Sequence, residues 1–219
     1  MHWLGIAFFA GAGIVVVRWL ANRTDGLGRR RPFPLFWTVA LIVLGCASLT
    51  PFVLRYRLEN RLSAAATTMA GFDVEVYCQS FGEAFVDAGA EAGFVRFGPD
   101  GVPERSTLIK RQQCRDLSSY LRSSKDAPSE PHAVAVHTLT HETIHMTGIA
   151  NEGVTECHAV QRDAEMARLL GASPEGGRAL AAIYWNRFYP RMPDGYRSEE
   201  CGPGGGLDLG GPDVPWRGS

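Results

Sequence analysis

Hydrophobic positions crowd the start of the chain and give way to mixed patterns beyond residue 60. "HWLGIAFFAGAGIVVV" (His2–Val17) has no Asp, Glu, Lys or Arg, and "FPLFWTVALIVLGCASLTPFVL" (Phe33–Leu54) is a second uncharged run, of 22 residues. A helix of that length, at 1.5 Å per residue, crosses a hydrocarbon core of roughly 30 Å. The first run is shorter, but Arg18 can snorkel and Trp3 and Trp19 suit the two interfaces. The pattern predicts two transmembrane helices forming an anchor over residues 1–61, followed by a small-residue stalk over 62–73.

Further on, "VEVYC" (Val74–Cys78) is β-rich, and "GFVRF" and "STLIK" flank the turn-forming "GPDGVPER", predicting a hairpin over 93–110. Leu117, Tyr120 and Leu121 give residues 114–121 one apolar helical face, and "SSKDAPSEP" (Ser123–Pro131) is a linker. Helical patterns then cover about 133–147, 151–170 and 174–189, with Ser173 and Pro174 as N-cap and first-turn residue of the last. Residues 201–219 are Gly- and Pro-rich coil, tied down at Cys201. The expected fold class is α+β: two N-terminal transmembrane helices, then over residues 74–200 a small domain with a short antiparallel sheet and several helices.

Charge adds an orientation. The net charge of −1 gives no basic field for nucleic acid. Between the apolar runs, Arg18, Arg23, Arg29, Arg30 and Arg31 face a single Asp25. The positive-inside rule places this loop in the cytoplasm and residues 55–219 outside, in a multi-pass protein of the cell membrane whose lipid partner is the bilayer. No basic segment precedes the first run, which argues against a cleaved signal there. A rival is lipidation of Cys46 at the end of "RRRPFPLFWTVALIVLGC", but Leu44 is large for such a site and the apolar stretch continues past it. The other cysteines, Cys78, Cys114, Cys157 and Cys201, are even in number in a domain expected to face outward, so they predict two disulfides. Pairing Cys78 with Cys114 and Cys157 with Cys201 keeps each bond within one half of the domain.

The densest chemistry lies in "HETIHMTGIANEGVTE" (His141–Glu156). On a helix His141 and His145 share a face, and Glu142 can point at a water on an ion held between them; this is the H-E-x-x-H pattern of zinc sites. Gly148 is placed as a C′ glycine, and Asn151 as the N-cap of a second helix that brings acidic residues back. If the two helices form a tight antiparallel hairpin, an ion between the histidines lies roughly 9 Å from the turn, level with Glu156, whereas Glu152 lies at roughly 3 Å. Axial level therefore favours Glu156 as third ligand over Glu152.

The stretch from His141 to about Glu165 resembles the zincin metallopeptidases, in particular their gluzincin branch. The resemblance implies a Zn²⁺-dependent peptidase acting on a peptide or protein substrate, with His141 and His145 as ligands and Glu142 as general base. "NEGVTE" is similar to the Asn-Glu-x-x-Ser-Asp element of thermolysin-like enzymes, which implies Glu152 as ligand and Glu156 as partner of a histidine. "ECHA" is similar to the gluzincin Glu-x-x-Ala, which implies Glu156 as ligand. The metzincin frame fails at Asn151, and Met192 in "YPRMPDGY" is explained as well by a surface turn as by a Met-turn. His137, one turn before His141, is an alternative ligand. His158, Tyr184, Tyr189 and Tyr196 are candidates for an oxyanion donor. The competing function is a catalytically inactive, membrane-anchored zinc-binding domain that serves interaction. An intramembrane protease is disfavoured because the motif lies in a polar segment far from either apolar run.

Overall fold

The computed structural model describes residues 2–80 and 91–217, and the chain divides into two compact units, Met1–Arg57 and Leu58–Ser219. In the first unit α1 (His2–Ala21) packs against the first half of α2 (Leu35–Ala70), two helices long and apolar enough to cross a membrane. Their packing depends on small residues: a Cβ on Gly5 would fall 2.6 Å from the Leu49 side chain, and one on Gly45 would fall 2.9 Å from Phe9. Away from this contact, Trp3, Ile14, Val17, Phe36, Trp37 and Phe52 are exposed. Both helices thus carry apolar side chains on their outer faces. The connection turns on Asp25, whose Oδ1 accepts from the backbone N–H groups of Leu27 and Arg29.

The second unit is α+β. Its sheet has the order β1 (Glu75–Cys78), β3 (Pro103–Ile109), β2 (Gly93–Phe97). The expected hairpin is present, with β2 antiparallel to β3. The sheet is nevertheless mixed, which corrects the antiparallel expectation: β1 runs parallel to β3, pairing Val76 with Thr107 and Cys78 with Ile109. Parallel pairing requires a crossover connection, and part of residues 79–92, which join β1 to β2, lies outside the described residues.

Residues expected to form a stalk are in the core. Leu62, Ala65, Ala66 and Met69 are buried with Val74, Val76 and Leu117. The polar residues of the same stretch serve β1. Glu59 Oε1 accepts from Cys78 N–H at 2.8 Å, Ser63 Oγ from Val76 N–H at 2.9 Å, and Thr67 Oγ1 from Val74 N–H at 3.1 Å. Steps of four residues along a helix, about 6 Å, match steps of two along a strand, about 6.6 Å. The helix therefore satisfies the free edge of the sheet that would otherwise be open.

Helix α3 (Arg111–Arg122) buries Cys114, Leu117 and Tyr120, and the Cys78–Cys114 disulfide ties it to β1. The central element is α4 (Glu130–Met146), buried almost throughout from Ala133. It starts inside the expected linker, because Ser129 is an N-cap whose hydroxyl accepts from His132 N–H. Thr138, Thr140 and Thr143 are accommodated in this buried helix by donating their hydroxyls to carbonyls one turn back. Gly148, at φ +104°, turns the chain after α4, and Asn151 caps α5 (Glu152–Leu169) by accepting from Val154 N–H. Helix α6 (Pro174–Arg187) crosses α5 closely, since a Cβ on Gly177 would lie 2.8 Å from the Ala164 carbonyl oxygen. The expected third helix thus ends at Arg187 and continues as 3-10 turns at Tyr189–Arg191 and Asp194–Tyr196. The tail lies along α5, held by the Cys157–Cys201 disulfide, by Gln161 bonding Leu207 O and Leu209 N, and by the Arg168–Asp213 ion pair.

Candidate metal centre

Helices α4 and α5 run antiparallel, and three histidines of one meet three acids of the other. Going up α4 and down α5, His137 faces Asp163 and Glu156, His141 faces Glu156 and Glu152, and His145 faces Glu152. Both sets lie on single stripes, at steps of four on α4 and of four and seven on α5.

At the outer end of this ladder, His141 Nε2 and His145 Nε2 are 2.9 Å apart, and Glu152 Oε2 lies 3.1 Å from the first and 3.3 Å from the second. A tetrahedral ion with bonds of about 2.0–2.1 Å holds its ligand atoms about 3.3 Å apart, so these three atoms are spaced as one ion requires. The other face of each ring fixes its tautomer. His145 Nδ1–H donates to Ile149 O at 2.7 Å, and His141 Nδ1–H donates to Glu156 Oε2 at 2.9 Å. With Nδ1 protonated, each neutral ring turns the lone pair of Nε2 inward, toward the other ring and toward a carboxylate. Two nitrogen lone pairs and an anionic oxygen then converge, an arrangement that demands a cation.

The same contacts favour a proton on His141. Burial pulls His141 down, but hydrogen bonds to Glu152 and Glu156 outweigh it and hold the residue up at about 9. His141, His145 and Glu152 form one of the groups whose donor atoms are close enough to share an ion. His145 is lowered by burial and by the neighbouring His141, and Glu152 is lowered chiefly by its bond to His141. The Glu152 side chain is 42% exposed whereas that of Glu156 is 1% exposed, so the first acid stands at the mouth of the centre and the second behind it.

The Glu142 side chain lies against β2 and within electrostatic reach of His141 and Glu152. A Cβ on Gly93 would fall 3.0 Å from its Oε1, and Oε2 is buried with no hydrogen-bond partner among the described residues. Burial pushes this carboxyl up to about 7. Phe97, at the end of β2, meets the His145 ring edge-on at 6.0 Å.

A second group, His137, His141 and Glu156, also brings its donor atoms close enough to share an ion. Its hydrogen bonding differs from that of the first group. Both His137 nitrogens face carboxylates, Nδ1 at 2.9 Å from Asp163 and Nε2 at 3.0 Å from Glu156. Burial opposes charge on His137, but the two carboxylates prevail and hold it up at about 10. Each His137 nitrogen thus faces a carboxylate, so an ion there would have to break one of these hydrogen bonds. Burial alone would raise Glu156, yet His137 and His141 hold it well below the usual carboxylate range.

The three tyrosines separate. Tyr184 is spent on the acid, donating its hydroxyl to Glu156 Oε1 at 2.7 Å. Tyr189 bonds the backbone of Ser198. Tyr196 stays near the mouth, its ring 6.1 Å from that of His141, and is raised by burial and by the carboxylates of Glu152, Glu156 and Glu142. His158 is half-buried on α5 and belongs to neither cluster. Asp163 escaped the reading of the sequence. Its signal was there: Asp163 follows Glu152 and Glu156 at helical spacing, on one stripe of α5.

The chain matches no known family model, no curated protein and no solved structure.

Proposed function

We propose that residues 58–219 form a zinc-dependent peptidase domain, held outside the cytoplasmic membrane by α1 and the first half of α2. The observation that carries this reading is the convergence of His141 Nε2, His145 Nε2 and Glu152 Oε2 at 2.9–3.3 Å, with the outward nitrogens of both rings already used. Two imidazoles and one carboxylate suit Zn²⁺ and leave a fourth position for water or substrate. In this reading Glu152 is the third ligand and Glu156 orients His141 from behind, as ligating histidines require. Axial level had favoured Glu156, but level along a helix does not say which ring nitrogen a side chain reaches. Glu156 reaches Nδ1 and Glu152 reaches Nε2.

A bound Zn²⁺ supplies Lewis acidity toward a water and a substrate carbonyl. Glu142, on the helix that carries both histidines and raised to about 7 by burial, accepts the water's proton and passes it to the leaving amine. Tyr196, at the mouth, is the tyrosine placed to donate to the oxygen that becomes negative. Glu152, Tyr196 and Phe97 stand beside the two ligand rings, on the side where a substrate peptide would approach.

Membrane anchoring rests on two apolar helices with exposed apolar faces, and the outward orientation on the arginine-rich loop and the two disulfides. The functional test uses full-length protein in detergent or lipid discs. Zinc-loaded wild type should cleave members of a peptide library, and Glu142→Gln should keep its zinc and lose roughly 10²–10⁴-fold in rate. Unchanged rates in Glu142→Gln, or no cleavage by wild type with zinc bound, would leave a zinc-binding domain without catalysis.

A further inference from the structure

We infer that His137, Asp163 and Tyr184 form a buried positioning assembly that acts through Glu156 on the metal-binding nitrogen of His141. The inference rests on the zinc centre proposed above and assigns residues that the H-E-x-x-H pattern does not include.

A carboxylate buried behind a ligand histidine needs compensation, since an unpaired buried charge costs far more than a hydrogen bond returns. Glu156 is 1% exposed and receives donors on both oxygens. Oε2 takes His141 Nδ1–H at 2.9 Å and His137 Nε2–H at 3.0 Å, while Oε1 takes the Tyr184 hydroxyl at 2.7 Å. His137 is itself held on its far side by Asp163, which is fully buried. Tyr184 also stacks on the His137 ring, with centroids 3.5 Å apart and planes 10° from parallel. The stack stops the imidazole from turning away from its two acids.

Whether the proton between Asp163 and His137 sits on the acid or on the ring, the three groups together carry one net negative charge, and Glu156 is the acid that touches His141. That charge keeps the His141 proton on Nδ1 and makes Nε2 a better donor. Three side chains without direct contact with the ligand atoms thus decide how firmly an ion is held. A second ion between His137, His141 and Glu156 is the competing use of the same residues, and it would have to break the hydrogen bonds that join both rings to Glu156.

The experiment compares full-length wild type with His137→Gln and Asp163→Asn. Zinc stoichiometry, zinc affinity by chelator competition, the visible spectrum of the Co²⁺-loaded protein and unfolding of the metal-free protein are all measured. Wild type should bind one zinc. Each variant should still bind one, roughly 10–100-fold more weakly, with an altered Co²⁺ spectrum. A purely structural role would instead lower the metal-free melting temperature and leave zinc affinity unchanged, which would overturn the assembly. Two zinc ions in wild type with one lost in His137→Gln would overturn it in favour of a second site. If His137→Gln does not fold, the isosteric Asp163→Asn carries the same comparison. Wild type that binds no zinc would remove the centre itself, a result separable from wild-type binding with unaffected variants.

Discussion

Oε2 of Glu156 lies 2.9 Å from Nδ1 of His141, on the face of the ring opposite the nitrogen that meets Glu152. One histidine therefore separates the two acids, and their substitution should have different consequences. Glu152→Gln removes an anionic ligand atom and should lower zinc content to a small fraction of one per chain after dialysis. Glu156→Gln keeps all three ligand atoms and should retain zinc, with affinity reduced by roughly 10–100-fold. Metal analysis of the two variants, prepared in parallel, checks this; loss of zinc from Glu156→Gln alone would exchange the roles.

Glu142 predicts an unusual pH dependence. Its folded-state pKa, about 7, lies above the ordinary value of 4.5, so ionisation opposes folding. The cost is absent below about pH 4.5, grows between 4.5 and 7, and is complete above 7. In metal-free protein, Glu142→Gln should therefore be stabilised relative to wild type by about 1–3 kcal/mol at pH 8 and by little at pH 4. Denaturant titration at both pH values measures it. A difference independent of pH would mean that the carboxylate is not strained by burial.

The fit of α2 to β1 can be tested at Ser63, whose hydroxyl accepts from Val76 N–H. Ser63→Ala leaves a strand N–H without its partner and should cost about 1–3 kcal/mol. Ala64→Ser, the neighbouring helix position that makes no such bond to β1, should change stability by less than about 0.5 kcal/mol. Equal effects at the two positions would show that the edge of the sheet does not depend on the helix.

How much of this was legible depends on the kind of signal. The pairing of Cys78 with Cys114 and of Cys157 with Cys201 followed from keeping bonds local, and both bonds are present. The hairpin followed from "GPDGVPER" between two β-rich runs. His141 and His145 share a face because steps of four on a helix must. Long-range relationships were less accessible. "LSAAATTMA" looks like a spacer, since Ser and Thr carry no sign of which strand they will serve, yet it is packed in the core. The parallel pairing of β1 with β3 is a long-range relationship that turn chemistry does not announce. The division of Glu152 and Glu156 between Nε2 and Nδ1 is a matter of side-chain reach, which a rise of 1.5 Å per residue cannot resolve.

The disulfides make a prediction about the tail. Cys157–Cys201 closes 44 residues of chain and Cys78–Cys114 closes 36. Chain-entropy arguments give each a value of about 2–4 kcal/mol. Replacing Cys157 and Cys201 by serine should lower stability by that amount and expose residues 202–217 to protease. Replacing Cys78 and Cys114 should cost a similar amount and leave the tail protected. Thermal unfolding with limited proteolysis compares the pairs; equal tail cleavage in both would mean that the tail is held by Gln161 and Arg168 rather than by sulfur.

The zinc centre is tested most directly by X-ray absorption at the zinc edge of the loaded full-length protein, combined with metal content. One zinc per chain is expected, with two imidazole nitrogens and one carboxylate oxygen at about 2.0–2.2 Å and a light atom from water in the fourth position. The carboxylate should be missing from the spectrum of Glu152→Gln reconstituted at high zinc and present in that of Glu156→Gln. No stoichiometric zinc, a shell containing sulfur, or four protein ligands with no exchangeable position would contradict it.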